Sequence, residues 1–133
     1  MSDRPPQLPL FLVPTAEAEG RRCRDCGELK PFRAFKIHSQ SPNFPYPSCK
    51  QCDRRHDEIV ARADYWQVAE SQGGVFCGIC GNPQGRRRLQ IDVDRSTWTV
   101  RGLLCFNCNS GLGKFHHDVA LLNRARNYLK VTA

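Results

Sequence analysis

The chain lacks any long apolar run. No stretch of its 133 residues approaches the roughly 20 that a membrane-spanning helix needs, so none is expected and the chain reads as soluble. It also lacks a leader-like start: Ser2-Asp3-Arg4-Pro5-Pro6 has no cationic-then-apolar pattern, and the short run from Leu8 to Val13 is broken by Pro9 and closed by Pro14. Without a sign of export, the eight cysteines are expected to stay reduced, which favours metal over disulfide. Acidic side chains are in short supply, with 13 Asp and Glu against 20 Lys and Arg. The resulting formal net charge of +7 and pI of 9.2 suit an anionic partner such as nucleic acid. The chain is also too short for two generous apolar cores, although its cysteines fall into two groups, and modules that small need staples.

The staples are four CxxC pairs: Cys23/Cys26, Cys49/Cys52, Cys77/Cys80 and Cys105/Cys108. Four converging thiolates repel one another unless a cation joins them, and tetrahedral Zn²⁺ takes four sulfurs as a structural crosslink. Pairing in sequence order predicts one zinc on Cys23, Cys26, Cys49 and Cys52 and a second on Cys77, Cys80, Cys105 and Cys108; an interleaved pairing would require entwined modules. The expected fold class is therefore a small zinc-stabilised α+β protein. Residues 1–20, with Pro5, Pro6, Pro9 and Pro14, read as a flexible arm, and residues 21–55 as an N-terminal zinc module with a proline-rich turn over Ser41 to Pro47. Residues 56–75 read as a connecting helix: Asp53 can cap, and Ile59, Ala63, Trp66 and Ala69 recur at helical spacing through Ser71 until Gln72-Gly73-Gly74 stops it. Residues 76–133 form the second zinc domain. It has a hairpin over Leu89 to Asp92 and Thr97 to Arg101, with Asp94-Arg95-Ser96 near the turn, and a final helix striped by Val119, Leu122, Ala125 and Leu129.

The string Leu89-Gln90-Ile91-Asp92-Val93-Asp94-Arg95-Ser96-Thr97, followed by Val100-Arg101-Gly102-Leu103-Leu104-Cys105-Phe106-Asn107-Cys108-Asn109 and Gly111-Leu112-Gly113-Lys114-Phe115, resembles the recombination endonuclease VII family of phage and bacterial HNH nucleases. The segment from Cys23 to Pro31 with Phe35 is similar to zinc knuckles that precede this domain. The resemblance implies a ββα-metal fold clamped by zinc, DNA as partner, and a phage-infected or bacterial cytoplasm as setting. It also implies Asp92 and Asn109 as oxygen ligands for Mg²⁺ or Mn²⁺. It places the family's general base at position 93 and a second histidine at 95, where this chain has Val93 and Arg95.

Phosphodiester hydrolysis needs a group that takes a proton from the attacking water. Valine has no lone pair, and arginine stays protonated at physiological pH. A missing base lowers the rate by roughly 10² to 10⁴. The expectation is a DNA-binding protein with impaired or lost cleavage. Two other readings stay open: an active structure-specific endonuclease with a substitute base from His116 or His117, and a zinc protein that contacts a protein partner, such as transcription machinery, through residues 1–55. His38 and His56 read as surface residues, and Asp94 as a weak base that stabilises the turn. Arg86, Arg87, Arg88, Arg95, Arg101 and Lys114 are the candidate DNA-binding cations, with Lys50, Arg54 and Arg55 as an extension. Trp66 and Trp98 can stack on bases or fill the core. The resemblance suggests a homodimer, with the C-terminal stripe packing inside the chain or against a second copy.

Overall fold

The structure is a computed structural model that describes residues 20–131. The arm expected over residues 1–20 lies outside the described residues, except for Gly20. The chain divides into two compact units, Met1–Arg55 and His56–Ala133. No described helix is long and apolar enough to cross a membrane.

The first unit wraps a zinc knuckle between β1 (Gly20–Arg22) and β2 (Leu29–Pro31), then passes through one 3₁₀ turn into the hairpin of β3 (Phe35–His38) and β4 (Ser41–Cys49). Helix α1 (Lys50–Arg62) starts directly after Cys49, so Cys52 lies in its first turn. The expected turn over Ser41 to Pro47 is instead strand β4, and the chain reverses just before Ser41. Proline is tolerated here because the ladder has only two strands and its register shifts on both sides of Ile37. The carbonyls still serve: Pro45 accepts from Arg21 Nη1 at 2.7 Å and Pro47 from the Arg24 amide at 2.9 Å.

The second unit repeats this design. Its knuckle is closed by a bridge between Phe76 and Pro83. The hairpin pairs β5 (Gln90–Asp94) with β6 (Thr99–Leu104), and α3 (Phe106–Lys114) starts directly after Cys105. The repeat extends to single hydrogen bonds. The Cys23 amide donates to Glu28 O at 2.9 Å and the Cys77 amide to Asn82 O at 2.8 Å; the Gly27 amide donates to Cys23 O and the Gly81 amide to Cys77 O, both at 2.9 Å. Arg24 N to Pro47 O matches Gly78 N to Leu103 O, again 2.9 Å in each. Gly27 and Gly81 have φ of 71° and 72°, a left-handed turn that glycine enters without the Cβ clash.

The single connecting helix expected after Cys52 is two helices, α1 and α2 (Tyr65–Gln72). Asp64 ends the continuity: its Oδ1 accepts from the amides of Trp66 at 2.9 Å and Gln67 at 3.2 Å, an N-cap that starts a new helix. The cap is thus Asp64, while Asp53 sits inside the first turn of α1. The break rotates the apolar face, so Tyr65 and Ala69 are buried while Trp66 is 68% exposed. Tyr65 and Ala69 join Cys77, Leu89, Leu103 and Leu104 in the core of this unit. Gln72 locks α2 to the rest, donating its Nε2 to Phe76 O and accepting the Leu103 amide on Oε1 at 2.7 Å. A Cβ on Gly102 would lie 2.5 Å from that same oxygen. The last helix, α4 (Val119–Val131), is capped by Asp118, whose Oδ1 accepts from Ala120 and Leu121 amides. Its stripe is only partly covered, since Val119 and Leu129 stay 70% and 67% exposed.

Two predictions follow from the clamp and the lock. Cys77→Ser should lower the zinc content from two ions per chain to one and unfold the second unit while the first keeps its amide dispersion, measured by metal analysis and NMR. Gly102→Ala should destabilise the second unit by roughly 1–3 kcal/mol in urea titration, because the added methyl displaces the Gln72 amide.

Candidate functional site

Both cysteine sets converge. In each, the four sulfurs lie within 4.8 Å of one another. The Cys23–Cys52 and Cys80–Cys105 sulfurs are 3.8 and 3.9 Å apart, matching the edge of roughly 3.8 Å of a tetrahedron with Zn–S bonds near 2.3 Å. The donor sets fit two structural zinc ions. Burial pushes the Cys23 thiol up, but the amides of Cys26, Cys49 and Asp25 outweigh it and leave the thiol at about 7. Cys77 behaves alike: burial is outweighed by the amides of Cys105, Cys80 and Ile79, leaving it at about 6. Burial and neighbouring thiols push Cys108 up to about 12 and Cys52 also upward. Each cage therefore holds one ready thiolate beside a thiol that ionises only for a cation.

Zinc sets β5, β6 and α3 around the residues singled out by the sequence. Asp92 is buried, and its carboxylate is closed by Arg101: Nε donates to Oδ2 at 2.7 Å and Nη2 to Oδ1 at 3.2 Å. A β-bulge makes this possible. Asp92 pairs with Gly102 and Val93 with Val100, so Arg101 is the extra residue on β6 and its side chain is re-aimed toward the partner strand. Bonding to Asp92, together with the nearby Asp94, raises the Arg101 pKa above its ordinary value despite burial. Arg101 Nη2 also donates to His117 Nδ1 at 3.1 Å. Arginine only donates, so Nδ1 is the accepting atom of this bond. Both His116 and His117 have positive φ, 55° and 53°, which costs on the order of 1 kcal/mol each. Their amides compensate by donating to Gly113 O and Leu112 O.

Position 93 is closed to solvent, since Val93 is only 3% exposed. Position 95 lies on the turn after β5, organised by Asp94: Oδ1 accepts the Ser96 hydroxyl at 2.6 Å and the Ser96 amide at 2.8 Å. The Ser96 hydroxyl, then its amide, hold the Asp94 carboxyl below its usual range. Trp98 closes the turn at φ 61° and is half-buried. Asn109, in the first turn of α3, donates Nδ2 to Gln90 Oε1 at 2.9 Å, two residues before Asp92 on β5. Asp92 lines one hollow, of about 270 Å³, and Asn109 lines another, of about 440 Å³. The guanidinium takes one bond on each Asp92 oxygen, and Asp92 and Asn109 line separate hollows, so a hard cation at Asp92 would have to displace Arg101 or share the carboxylate with it.

The basic residues divide. Arg87 lies over the Phe106 ring at 5.3 Å and Arg88 over Tyr65 at 3.8 Å, so both are positioned by aromatic faces. Arg86 and Lys114 are exposed, and Arg101 is directed inward to Asp92. His56, which reads as a surface residue in the sequence, lines the 440 Å³ hollow with Asn109 and Gln90. The adjacent His56-Asp57 pair was the available signal, since a carboxylate beside a histidine orients the ring.

The family model for recombination endonuclease VII matches residues 50–131. The chain belongs to the recombination endonuclease VII family. It is 41% identical over 73 residues to the Gene 59 protein of Mycobacterium phage D29, covering 53% of this chain and 44% of that protein. It is 44% identical over 68 residues to the Gene 59 protein of Mycobacterium phage L5, covering 50% and 41%. The chain thus spans less than half the length of these curated relatives. The crystal structure of the ββα-Me type II restriction endonuclease Hpy99I aligns at a TM-score of 0.47 and 26% identity, covering 86% of this chain and 66% of that one. Within the endonuclease VII match lie the whole hairpin, Asp92, Asn109 and the zinc cysteines from Cys52 onward.

If the guanidinium holds the place of a cation, Arg101→Ala should leave a buried carboxylate unpaired and lower stability by roughly 1–3 kcal/mol. Millimolar Mn²⁺ should then raise the melting temperature of the variant and leave that of the parent unchanged, measured by calorimetry of the zinc-loaded protein.

Proposed function

We propose that this chain is a DNA-binding member of the endonuclease VII family in which phosphodiester cleavage at the Asp92 centre is impaired or lost. The observation that carries this reading is the closure of Asp92 by both donors of Arg101, beside a buried Val93 where the resemblance puts the base. A carboxylate already paired with an internal cation is a weaker ligand for a metal, and a valine cannot take a proton from water. Binding does not need either step. The net charge of +7, the exposed Arg86 and Lys114, and Arg87 and Arg88 held on aromatic rings support recognition of the phosphate backbone, read by shape and charge. The phage relatives agree with action in an infected host cell.

A substitute base is the second reading, and His117 is the observation that favours it, since an imidazole does reach the Asp92–Arg101 pair. Its contact opposes the role: Nδ1 faces the Arg101 guanidinium, which competes for the lone pair that would take the proton. Catalysis by His117 would require Arg101 to leave first.

Fluorescence anisotropy on a four-way junction and on linear duplex, paired with plasmid nicking in Mg²⁺ and Mn²⁺, tests the proposal. Expected are binding that weakens roughly 10-fold or more between 50 and 200 mM salt, as two or three phosphate contacts require, and nicking near background. The triple change Val93→His, Arg95→His and Arg101→Ala, which restores both histidines and frees Asp92, should raise nicking by roughly 10². Brisk metal-dependent nicking by the parent, abolished by Asp92→Ala, would overturn the proposal.

A further inference from the structure

The hollow of about 440 Å³ in the second unit stands apart from the Asp92–Arg101 pair, and no step considered so far uses it. Its polar lining is His56, Arg88, Gln90 and Asn109, and it has no carboxylate among its lining residues. The volume falls in the range of roughly 300–1,000 Å³ that ligand sites occupy.

Each polar group is oriented by a neighbour. The Asn109 amide donates Nδ2 to Gln90 Oε1 at 2.9 Å, which fixes the Gln90 amide with its own NH₂ as the group left to donate. His56 Nδ1 is 3.1 Å from Asp57 Oδ1; with the carboxylate accepting there, Nε2 is the ring atom left for a ligand. Arg88 is spread over the Tyr65 ring at 3.8 Å, and the Tyr65 hydroxyl is itself held by Gln84 Oε1 at 2.8 Å. The rest of the wall is apolar and includes Val60 and Ile91. A cavity lined by the Arg88 guanidinium and the Gln90 amide together with Val60 and Ile91, and with no lining acid, is complementary to an anion attached to an apolar body.

We infer that this hollow binds one phosphorylated nucleotide, with the phosphate near Arg88, His56, Gln90 and Asn109 and the sugar and base against Val60 and Ile91. The inference deepens the DNA-binding reading and rests on it for the identity of the ligand as part of a DNA strand; a free nucleotide has the same chemistry. It also gives Asn109 a task without a metal, as the amide that sets Gln90 for phosphate.

The test uses the full zinc-loaded chain with His56→Ala and Arg88→Gln, each checked for two zinc ions and an unchanged melting temperature. Each variant should weaken binding to a short duplex by about 3–10-fold, and Arg88→Gln should reduce the slope of log K against log salt by about 1. Independently of those variants, the side-chain amide signals of Gln90 and Asn109 should shift in NMR spectra of the parent on adding the duplex. Titration with thymidine monophosphate separates the sources: shifts with the mononucleotide but no DNA binding would keep the site and discard the DNA reading. Tight duplex binding with unmoved Gln90 and Asn109 amides, and folded variants that bind like the parent, would discard the site and keep the DNA reading. No response to either ligand would discard both.

Discussion

Two cages of four sulfurs hold this protein together. Each unit is too small to bury much apolar surface, and in the first the most buried side chains are Phe35 and the zinc-facing Cys23 and Cys49. The cage does more than replace a core. Because the third ligand stands at the junction of a strand and a helix, and the fourth lies in that helix's first turn, one metal ion fixes a hairpin against a helix N-terminus. Asp92, Arg101 and Asn109 sit on that frame in the second unit.

Within the frame, a single bulge sets the chemistry. In an unbroken ladder, side chains alternate from face to face and Arg101 would follow that alternation. With Arg101 as the extra residue, the guanidinium turns back onto Asp92 and meets it with two bonds. The geometry that could present a carboxylate to a metal presents it to an arginine, and the turn beyond is rigidified by Asp94 through Ser96. The carboxylate that the resemblance assigns to a metal is thereby engaged in an internal ion pair, while Arg86 and Lys114 stay exposed.

Much of this was legible in the residues. The cysteine spacing carried both zinc cages and their pairing, since CxxC turns leave few alternatives. Alternation and β-branching located the hairpin near Leu89 to Arg101, although β5 and β6 each lie a residue or more further along. The family match was carried by a continuous string around Cys105. What failed was set by groups distant in the chain or by competition between local signals. The stripe Ile59, Ala63, Trp66, Ala69 concealed a break, because Asp64 looks like an ordinary helix residue until its carboxylate is seen taking two amides. The prolines between the first two knuckles promised a turn, yet an edge strand can dispense with their donors. The pairing of Arg101 with Asp92 was hidden because no one-dimensional pattern reveals a bulge, and the placement of His56 in one hollow with Gln90 and Asn109 because those two lie more than thirty positions away.

The repeated design of the two units extends past the cysteines. After the fourth cysteine of each cage stands a polar residue that reaches back to the first hairpin strand: Asn109 to Gln90 in one unit, Asp53 to Lys36 at 3.2 Å in the other. An amide pair and an ion pair thus occupy one architectural socket, and the metal-anchored backbone around it is the same. The two units therefore hold different chemistry at one position of a shared metal-anchored backbone: a neutral amide contact in one and a charged pair in the other.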